Sequence, residues 1–303
     1  MKGLLVLLLA FPFAFPAVGQ SPDLNVLLMQ STFMLEGRAA AGVTLGTGFV
    51  LLRPLPNTDP KAAMVTGHLV LITAAHVFDG MIGDTATIHL RAKQRTTGEW
   101  TEQLATFKIR GADNRPLWTR HPSADIAVMY LSFPVLPFEQ PIPTTLLADD
   151  NTLVNFRMGP GLQLNCLGYP LGDKGIAGFP ILRTGVIASY PLVPTRTSKK
   201  FLFDFRVFMG NSGGPVYFKQ EETRGSVTFC CGAQFIMGLV TDEELYTTPE
   251  NQREPYKGVK VQQLSIGWVV HASIIQDTIS LLPSPGTPDF SAAVIPVAMA
   301  PKD

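Results

Sequence analysis

Cysteine is scarce in this chain of 303 residues, which contains only Cys166, Cys230 and Cys231. Three cysteines are too few for a disulfide scaffold, and their odd number allows one internal bridge at most. Neighbouring cysteines pair with each other only under strain, so Cys166 with Cys230 or Cys231 is the bridge to expect. Free buried thiols are the alternative, because the sequence does not give the Cα separation that a bridge requires.

An excess of charge of either sign is also missing. The sequence has 24 basic and 24 acidic residues and no basic run longer than Lys199-Lys200. A protein whose main partner is nucleic acid or an anionic membrane normally carries a basic patch. The composition therefore argues against both kinds of partner.

Long apolar runs are missing as well. The N-terminal run Leu4–Phe15 contains Pro12 and is shorter than the roughly 20 residues that a transmembrane anchor, the alternative, needs. The small residues Ala17-Val18-Gly19 follow, as at a signal peptidase site. We therefore predict a signal peptide over residues 1–19, cleaved near Gly19. The mature protein would be exported, periplasmic or secreted, without a stable membrane anchor.

What the sequence has in quantity is glycine (27) and proline (25), which separate short runs rich in Val, Ile, Leu, Phe and Thr. Such runs are typical of strands bounded by turns, so an all-β fold is predicted. A short helix is expected over Ser273–Leu282, a polar loop over Asp242–Lys260, and a disordered or loosely packed Pro-rich tail over residues 283–303. Strands are predicted over Leu24–Leu35, Thr44–Leu52, Leu69–Ile72, Thr85–Arg91, Thr106–Arg110, Leu162–Leu167, Ile181–Tyr190 with a break at Gly185, Lys200–Phe205, Pro215–Phe218 and Ser265–His271.

The stretch from Phe208 to Val216, F-M-G-N-S-G-G-P-V, places Ser212 in a turn of glycines and a proline. Such a turn can expose a side chain and point backbone N–H groups at a substrate. A serine hydroxyl is a weak nucleophile at neutral pH and needs an adjacent base, which itself needs an orienting group. The turn therefore indicates acyl-transfer chemistry only if an imidazole and a carboxylate reach it.

Two other residues could meet that need. His76 follows the strand run Leu69–Ile72 and a tight turn of small residues, and Asp125 stands where an apolar strand begins. An acid at such a position costs free energy unless it is hydrogen-bonded. Taken singly, His76 and Ser212 could be ordinary turn residues and Asp125 a capping acid. Together, each at a strand end or turn, they indicate a catalytic triad.

In these motifs the sequence resembles the chymotrypsin-like (trypsin-fold) serine peptidases and, among them, the bacterial exported HtrA-type proteases. The similarity runs in order across most of the chain, and its most specific parts are T-A-A-H and G-N-S-G-G-P. The matching stretches are Thr47–Leu51, Leu71–Val77, Asp125–Met129, Gly168–Gly172, Gly210–Pro215 and Ile266–Ser273.

The resemblance implies two six-stranded antiparallel β-barrels, over residues 20–136 and 137–282, with the active site in the cleft between them. It implies that Ser212 is the nucleophile, His76 the general base and then acid, and Asp125 the residue that orients the imidazole. The N–H groups of Gly210 and Ser212 would form the oxyanion hole. The implied activity is hydrolysis of polypeptide substrates through an acyl-enzyme, with no metal or organic cofactor.

Two features depart from parts of this family. Asn211 stands before the serine where zymogen-activated members have an aspartate, and no I-V-G-G-like start follows the signal. We therefore expect activity without a freed N-terminus. The residues after Leu282 are too few for the PDZ domain of HtrA-type proteases, so gating by such a domain is not expected.

By the same resemblance, Arg206, Thr241 and Gly267 lie at the substrate-binding pocket, with the Thr241 backbone pairing with an extended substrate. Arg206 near the base would favour an acidic substrate side chain, whereas Asp242 and Glu243 near the rim would favour a basic one. The sequence leaves this choice open. It also leaves open two other functions: a catalytically silent peptide-binding protein on the same fold, and an esterase.

Overall fold

The computed structural model describes residues 23–55, 66–94, 96–220, 222–224, 227–229, 232–247, 261–283, 291–293 and 295–296. The predicted signal peptide, Cys230 and Cys231 lie outside these ranges. Cys166 is a free cysteine, and burial raises the pKa of its thiol to about 12. Within the described ranges no helix has the length and apolar character needed to cross a membrane.

Strands hold most of the described residues that belong to a helix or a strand, which confirms the all-β class. Four α-helices accompany them: α1 (Leu24–Ser31), α2 (Ala75–Asp79), α3 (Asp150–Asn155) and α4 (Ala272–Ser280). Single 3-10 turns occur at Thr144–Leu146, Pro170–Gly172 and Ile176–Gly178. Helix α4 confirms the predicted C-terminal helix.

Helix α1 occupies residues that the sequence predicts as a strand. Its first turn is capped by Asp23, whose side chain accepts a hydrogen bond from Asn25 N at 2.8 Å. Leu24 and Leu28, four residues apart, are both fully buried on one side of the helix. A short apolar run fits a buried helix and a buried strand equally well. The predicted strand from Leu24 is therefore wrong, and the first strand begins at Thr32.

The first sheet contains seven strands from the N-terminal half, each of which pairs antiparallel with its neighbours. Six of them lie in the order β7-β3-β2-β1-β4-β5, and β6 pairs with β7. Their bounds are β1 (Thr32–Ala39), β2 (Gly42–Pro54), β3 (Gly67–Thr73), β4 (Thr85–Lys93), β5 (Trp100–Lys108), β6 (Thr119–Arg120) and β7 (Ala127–Ser132).

The second sheet is a closed barrel of six strands in the order β10-β15-β14-β11-β8-β9. Its strands are β8 (Gln163–Gly168), β9 (Ile181–Ile187), β10 (Lys200–Asp204), β11 (Pro215–Lys219), β14 (Gln234–Thr247) and β15 (Val261–His271). A separate hairpin pairs β12 (Glu222–Arg224) with β13 (Val227–Phe229).

Two local predictions in this half are wrong. Strand β9 is continuous through Gly185, where the backbone of β10 approaches so closely that a Cβ would lie 2.3 Å from the Asp204 carbonyl oxygen. The predicted loop from Asp242 is strand as far as Thr247, because β14 continues its pairing with β15 past two register shifts.

The tail supplies two more strands, β16 (Ser291–Ala293) and β17 (Ile295–Pro296). Strand β16 pairs parallel with β7, and β17 pairs antiparallel with β5, so the tail joins the two outer strands of the first sheet. The expectation of a loose tail is therefore wrong for these residues. The closed six-stranded barrel is confirmed for the second sheet, whereas the first is an open sheet of nine strands with the tail included.

One continuous apolar core joins the two sheets and includes buried side chains from both. A backbone hydrogen bond of 2.7 Å from Leu52 N to Ile142 O ties β2 to the segment that connects them. Burial of apolar area, the dominant favourable contribution to folding, thus holds the two sheets against each other. The candidate site lies where the end of β3 meets the turn before β11.

Candidate active site

His76 is held at the end of a rigid element. Strand β3 ends at Thr73, and the small residue Ala74 leads directly into α2. Val77 and Phe78 in this one-turn helix are buried and anchor it in the core. The His76 side chain between these anchors remains 45% exposed, so its ring is accessible from solvent while its backbone is fixed.

Asp125 contacts His76 at two points. Its Oδ2 atom lies 2.6 Å from the imidazole Nδ1, and its Oδ1 accepts a hydrogen bond of 2.9 Å from the His76 backbone N–H. Strand β7 begins two residues later and fixes the position of the carboxylate. One carboxyl group therefore sets both the ring orientation and the backbone position of His76.

The two groups shift each other's pKa. Burial alone would lower the pKa of His76, but the hydrogen bond and charge of Asp125, with the charges of Asp242 and Asp79, raise it above the usual 6.5. Burial alone would raise the pKa of Asp125, but its hydrogen bond with the His76 side chain and the charge there hold it below the usual 3.8. The site thus favours the ionised form of Asp125 and raises the pH above which the His76 imidazole is neutral.

Ser212 lies in a turn whose shape depends on two glycines. Gly210 has a φ of +94° and Gly213 a φ of +87°, a region that residues with a Cβ rarely adopt. Asn211 between them is buried, while Ser212 is only partly buried. The turn therefore presents the serine side chain at the surface of the cleft.

This turn rests on the first sheet. Thr47 of β2 donates its backbone N–H to the Ser212 carbonyl at 2.8 Å and its hydroxyl to the Gly210 carbonyl at 2.6 Å. A Cβ on Gly213 would lie only 2.4 Å from the Thr73 hydroxyl at the end of β3. The segment that carries Ser212 is therefore packed against the strand that leads to His76.

The peptide between Met209 and Gly210 has a fixed orientation. The Met209 carbonyl accepts a hydrogen bond of 2.7 Å from Leu171 N. In a trans peptide the N–H points opposite to the carbonyl, so the Gly210 N–H is directed away from Leu171. In the described part of the chain, neither this N–H nor that of Ser212 donates to another protein group.

The Ser212 hydroxyl donates a hydrogen bond of 3.1 Å to the Thr241 carbonyl. Among the described residues no hydrogen bond joins it to His76. The structure thus brings His76 and Asp125 together. Ser212 lies in the turn before β11, and its hydroxyl points toward β14.

A cavity of about 280 Å³ opens beside Ser212. One wall is the segment before the serine turn and the other is the middle of β14. Thr241 on that second wall is buried, and its carbonyl is the group that accepts the hydrogen bond from the Ser212 hydroxyl. The lining residues are Val207, Phe208, Met209, Ser212, Thr241, Asp242 and Glu243.

Two residues assigned to the pocket by resemblance lie at its margin. Gly267 of β15 pairs with Glu243 of β14, behind the lining residues. The exposed side chain of Arg206 does not line the cavity, and its guanidinium lies 4.9 Å from the centre of the Phe208 ring. The acidic pair Asp242 and Glu243 is therefore the charged part of the lining.

Sequence reasoning identified the T-G-F-V-L stretch but gave Thr47 no role. A threonine between two glycines in a strand was the available signal, because glycines mark close backbone approach. Leu171 was likewise missed, although it lies in the G-Y-P-L-G motif. Across the described ranges, no group of three or more His, Cys, Asp or Glu side chains could hold a metal ion.

The family model described as Trypsin matches residues 61–247, a range that includes His76, Asp125 and Ser212. No curated protein matches the sequence.

Several solved structures are similar. An HtrA-type protease AlgW with tripeptide shows 15% identity and a TM-score of 0.46, covering 86% of this chain and 62% of that one. The serine endoprotease from Yersinia pestis shows 14% identity and a TM-score of 0.42, and the match covers 84% of this chain and 63% of that one. The MamO protease domain from Magnetospirillum magneticum, in its apo form, shows 14% identity and a TM-score of 0.43, and the match covers 84% of this chain and 98% of that one. The chain thus spans less than two thirds of the first two proteins.

Proposed function

The chain belongs to the trypsin family, and from this premise we propose that it is a serine endopeptidase that hydrolyses polypeptides through a Ser212–His76–Asp125 triad. His76 and Asp125 would come from an N-terminal unit, residues 20–136, and Ser212 from a C-terminal unit, residues 137–282. The reaction would take place in the cleft between them.

In the first half of the proposed reaction, Ser212 Oγ attacks the carbonyl carbon of the scissile peptide bond, and His76 Nε2 accepts the hydroxyl proton. The N–H groups of Gly210 and Ser212 donate to the oxygen that becomes negatively charged. His76 then gives its proton to the departing amine, which leaves an acyl-enzyme. A water molecule activated by the same imidazole hydrolyses the ester and restores Ser212.

The observation that best supports this proposal is the double contact of Asp125 with His76, at 2.6 Å to Nδ1 and 2.9 Å to the backbone N–H. A neutral imidazole that donates from Nδ1 has a free Nε2 lone pair, which is the proton acceptor that the reaction needs. The Ser212 hydroxyl would have to turn from Thr241 toward His76. Catalytic hydrogen bonds are often long without substrate and tighten when it binds.

Labelling with a fluorophosphonate probe tests the nucleophile. The wild-type protein should form a covalent adduct, and Ser212→Ala should form none and lose on the order of a millionfold in turnover. The matched control is Ser123→Ala, which changes an exposed serine outside the cavity and should label like the wild type. Circular dichroism should show that all three proteins are folded.

Digestion of a peptide library separates this function from its rivals. Labelling together with peptide cleavage supports the endopeptidase. Labelling with hydrolysis of esters but not of peptides would identify an esterase on the same fold. A folded wild-type protein that binds peptides but is neither labelled nor able to cleave them would be a peptide-binding protein.

The proposal includes export. Residues 1–19 would act as a signal peptide and be removed near Gly19, which gives a periplasmic or secreted enzyme. N-terminal sequencing of the protein expressed with its full leader tests this directly. A mature chain that begins near residue 20 is expected, and an intact Met1 in the exported fraction would contradict it.

A further inference from the structure

The cavity beside Ser212 suggests which substrates the proposed peptidase would prefer. If a substrate carbonyl lies at Ser212, the side chain on its acyl side enters the adjacent space. That space is the 280 Å³ cavity between Val207–Met209 and Thr241–Glu243. Its chemistry should therefore decide the preferred residue at the position before the cleaved bond, called P1.

The Glu243 carboxyl group in this cavity has a buried oxygen atom without a hydrogen-bond partner among the described residues. The side chain as a whole is only partly buried, and the buried atom is Oε1. A buried carboxylate oxygen without a partner is costly, because it has lost water and gained nothing in return. A donor brought by the substrate would remove that cost, and a cationic donor would remove the most.

The rest of the lining fits a long cationic side chain. Val207, Phe208 and Met209 offer an apolar wall for the aliphatic stem of a lysine or arginine. Asp242 adds a second carboxyl group at the exposed rim, where it would attract a positive charge. A glutamate or aspartate entering the same space would meet two like charges.

Neither of the two neighbouring arginines, Arg183 and Arg206, lines the cavity. Arg206 lies against the Phe208 ring and outside the cavity, as described above. Arg183 donates a hydrogen bond of 2.6 Å to the Arg206 carbonyl and lies over the rings of Phe205 and Phe208, at 4.2 and 5.3 Å. Both guanidinium groups therefore lie at aromatic rings rather than in the lining.

We propose that Glu243 is a specificity-determining residue that binds a lysine or arginine side chain at P1, so that the enzyme cleaves after basic residues. This inference rests on the proposed peptidase function. It assigns the charge recognition to strand β14 and not to the segment before the serine, where Arg206 stands. It also resolves the choice between an acidic and a basic preference that the sequence leaves open.

The test uses peptides that differ only at P1, with Arg, Gln or Glu. For the wild type we expect kcat/KM with Arg to exceed that with Gln by about a hundredfold, the range found for buried charge pairs at binding sites. Glu243→Gln keeps the size and removes the charge, so it should lower kcat/KM for the Arg peptide far more than for the Gln peptide and abolish most of this preference. Glu243→Arg should favour the Glu peptide.

The matched control is Asp204→Asn, which removes one exposed negative charge from β10 outside the cavity and should leave the preference unchanged. Benzamidine, an aromatic amidinium, gives a readout without turnover: it should bind the wild type and bind Glu243→Gln much more weakly.

Fluorophosphonate labelling of every variant distinguishes the two ways to fail. A labelled, active wild type that prefers Gln or Glu at P1 overturns the role of Glu243 and leaves the peptidase intact. Equal slowing of all three peptides in Glu243→Gln overturns it too, because it shows a structural effect. A folded wild type that is neither labelled nor active overturns the peptidase function and this inference with it.

Discussion

The hydroxyl of Thr47 donates a hydrogen bond of 2.6 Å to the carbonyl oxygen of Gly210. Both residues are buried, and the bond joins strand β2 of the first sheet to the turn that carries Ser212. The Gly210 carbonyl belongs to the peptide that follows the Gly210 N–H, so the bond limits rotation of the turn at that N–H. The geometry of the proposed oxyanion hole therefore depends on a residue of the other sheet.

Thr47→Val should separate this hydrogen bond from the shape of the side chain. Valine fills the same volume but leaves the Gly210 carbonyl without its donor, at a cost of about 1–3 kcal/mol in unfolding free energy. A turn displaced by about 1 Å would lower kcat about a hundredfold. Thr47→Ser, which keeps the hydroxyl, should retain most of the activity. Wild-type kcat in Thr47→Val, measured with a peptide substrate, would contradict this role.

Gly210→Ala should impair activity for a steric reason. The φ of +94° disfavours any Cβ, and a Cβ at this position would lie 2.2 Å from the Tyr169 carbonyl oxygen. The turn must therefore shift, and loss of one oxyanion donor typically lowers kcat about a hundred- to a thousandfold.

Gly42→Ala is the matched control for that variant. Gly42 has a nearly identical φ of +96°, but a Cβ there would meet nothing within 4 Å. The two variants therefore share the backbone cost and differ in the clash, and Gly42→Ala should keep wild-type kcat with a modest loss of thermal stability. Similar kcat values for the two variants would show that the contact with Tyr169 is unimportant.

Local pattern accounts for much of the fold and of the candidate site. Strands β3 and β7 are short, largely buried apolar runs, and the sequence alone is enough to place their neighbours His76 and Asp125 at strand ends. Helix α1 could not be predicted, because LNVLLMQS is apolar on most sides and shows no 3.6-residue alternation. Its identity depends on burial against the rest of the chain.

Local sequence patterns do not predict contacts between segments that are far apart along the chain. Thr47 and Gly210 are 163 residues apart, and the glycines beside Thr47 indicate a close backbone approach without indicating which segment approaches. The same holds for the pocket, because Glu243 lines the cavity and Arg206 does not, although both are charged residues near Ser212 or its turn. Only the assembled sheets resolve which of the charged residues is close to Ser212.

The pH dependence of activity should report the raised pKa of His76. The base must be neutral, so kcat/KM should fall as pH decreases through that pKa, which lies above 6.5. The negative charge of Asp242 contributes to the increase. Asp242→Asn should therefore lower the pKa and move the acid limb of the profile to lower pH.

Measuring kcat/KM from pH 4 to 9 with one neutral P1 peptide tests this shift and avoids a change in substrate charge. Because Asp242 is exposed, added salt should reduce the difference between wild type and Asp242→Asn. Asp204→Asn removes an exposed charge elsewhere and should leave the acid limb in place. A profile that is flat down to pH 4 would contradict the assignment of His76 as the base.

Arg91 should be among the most important residues for stability. It is 1% exposed, and its guanidinium lies between the rings of Phe33 and Phe179, at 4.6 and 4.7 Å from their centres. Its two Nη atoms donate to the hydroxyl of Tyr169 and to backbone carbonyls at the end of α1, the start of β1 and Gly178. One side chain therefore joins the N-terminal helix to the loop that packs against the serine turn.

Arg91→Met should lower the free energy of unfolding by about 3 kcal/mol or more, because each buried acceptor left without its donor costs about 1–3 kcal/mol. Arg91→Lys should recover little of this stability, because a single ammonium group cannot reach the two sets of acceptors that the two Nη atoms of the planar guanidinium reach. Arg120→Met is the control: it breaks an exposed pair with Asp79, worth about 1 kcal/mol or less. Urea denaturation of the three variants measures these free energies of unfolding. If Arg91→Met lost no more stability than Arg120→Met, the buried acceptors would have found water or other donors, which would contradict the prediction.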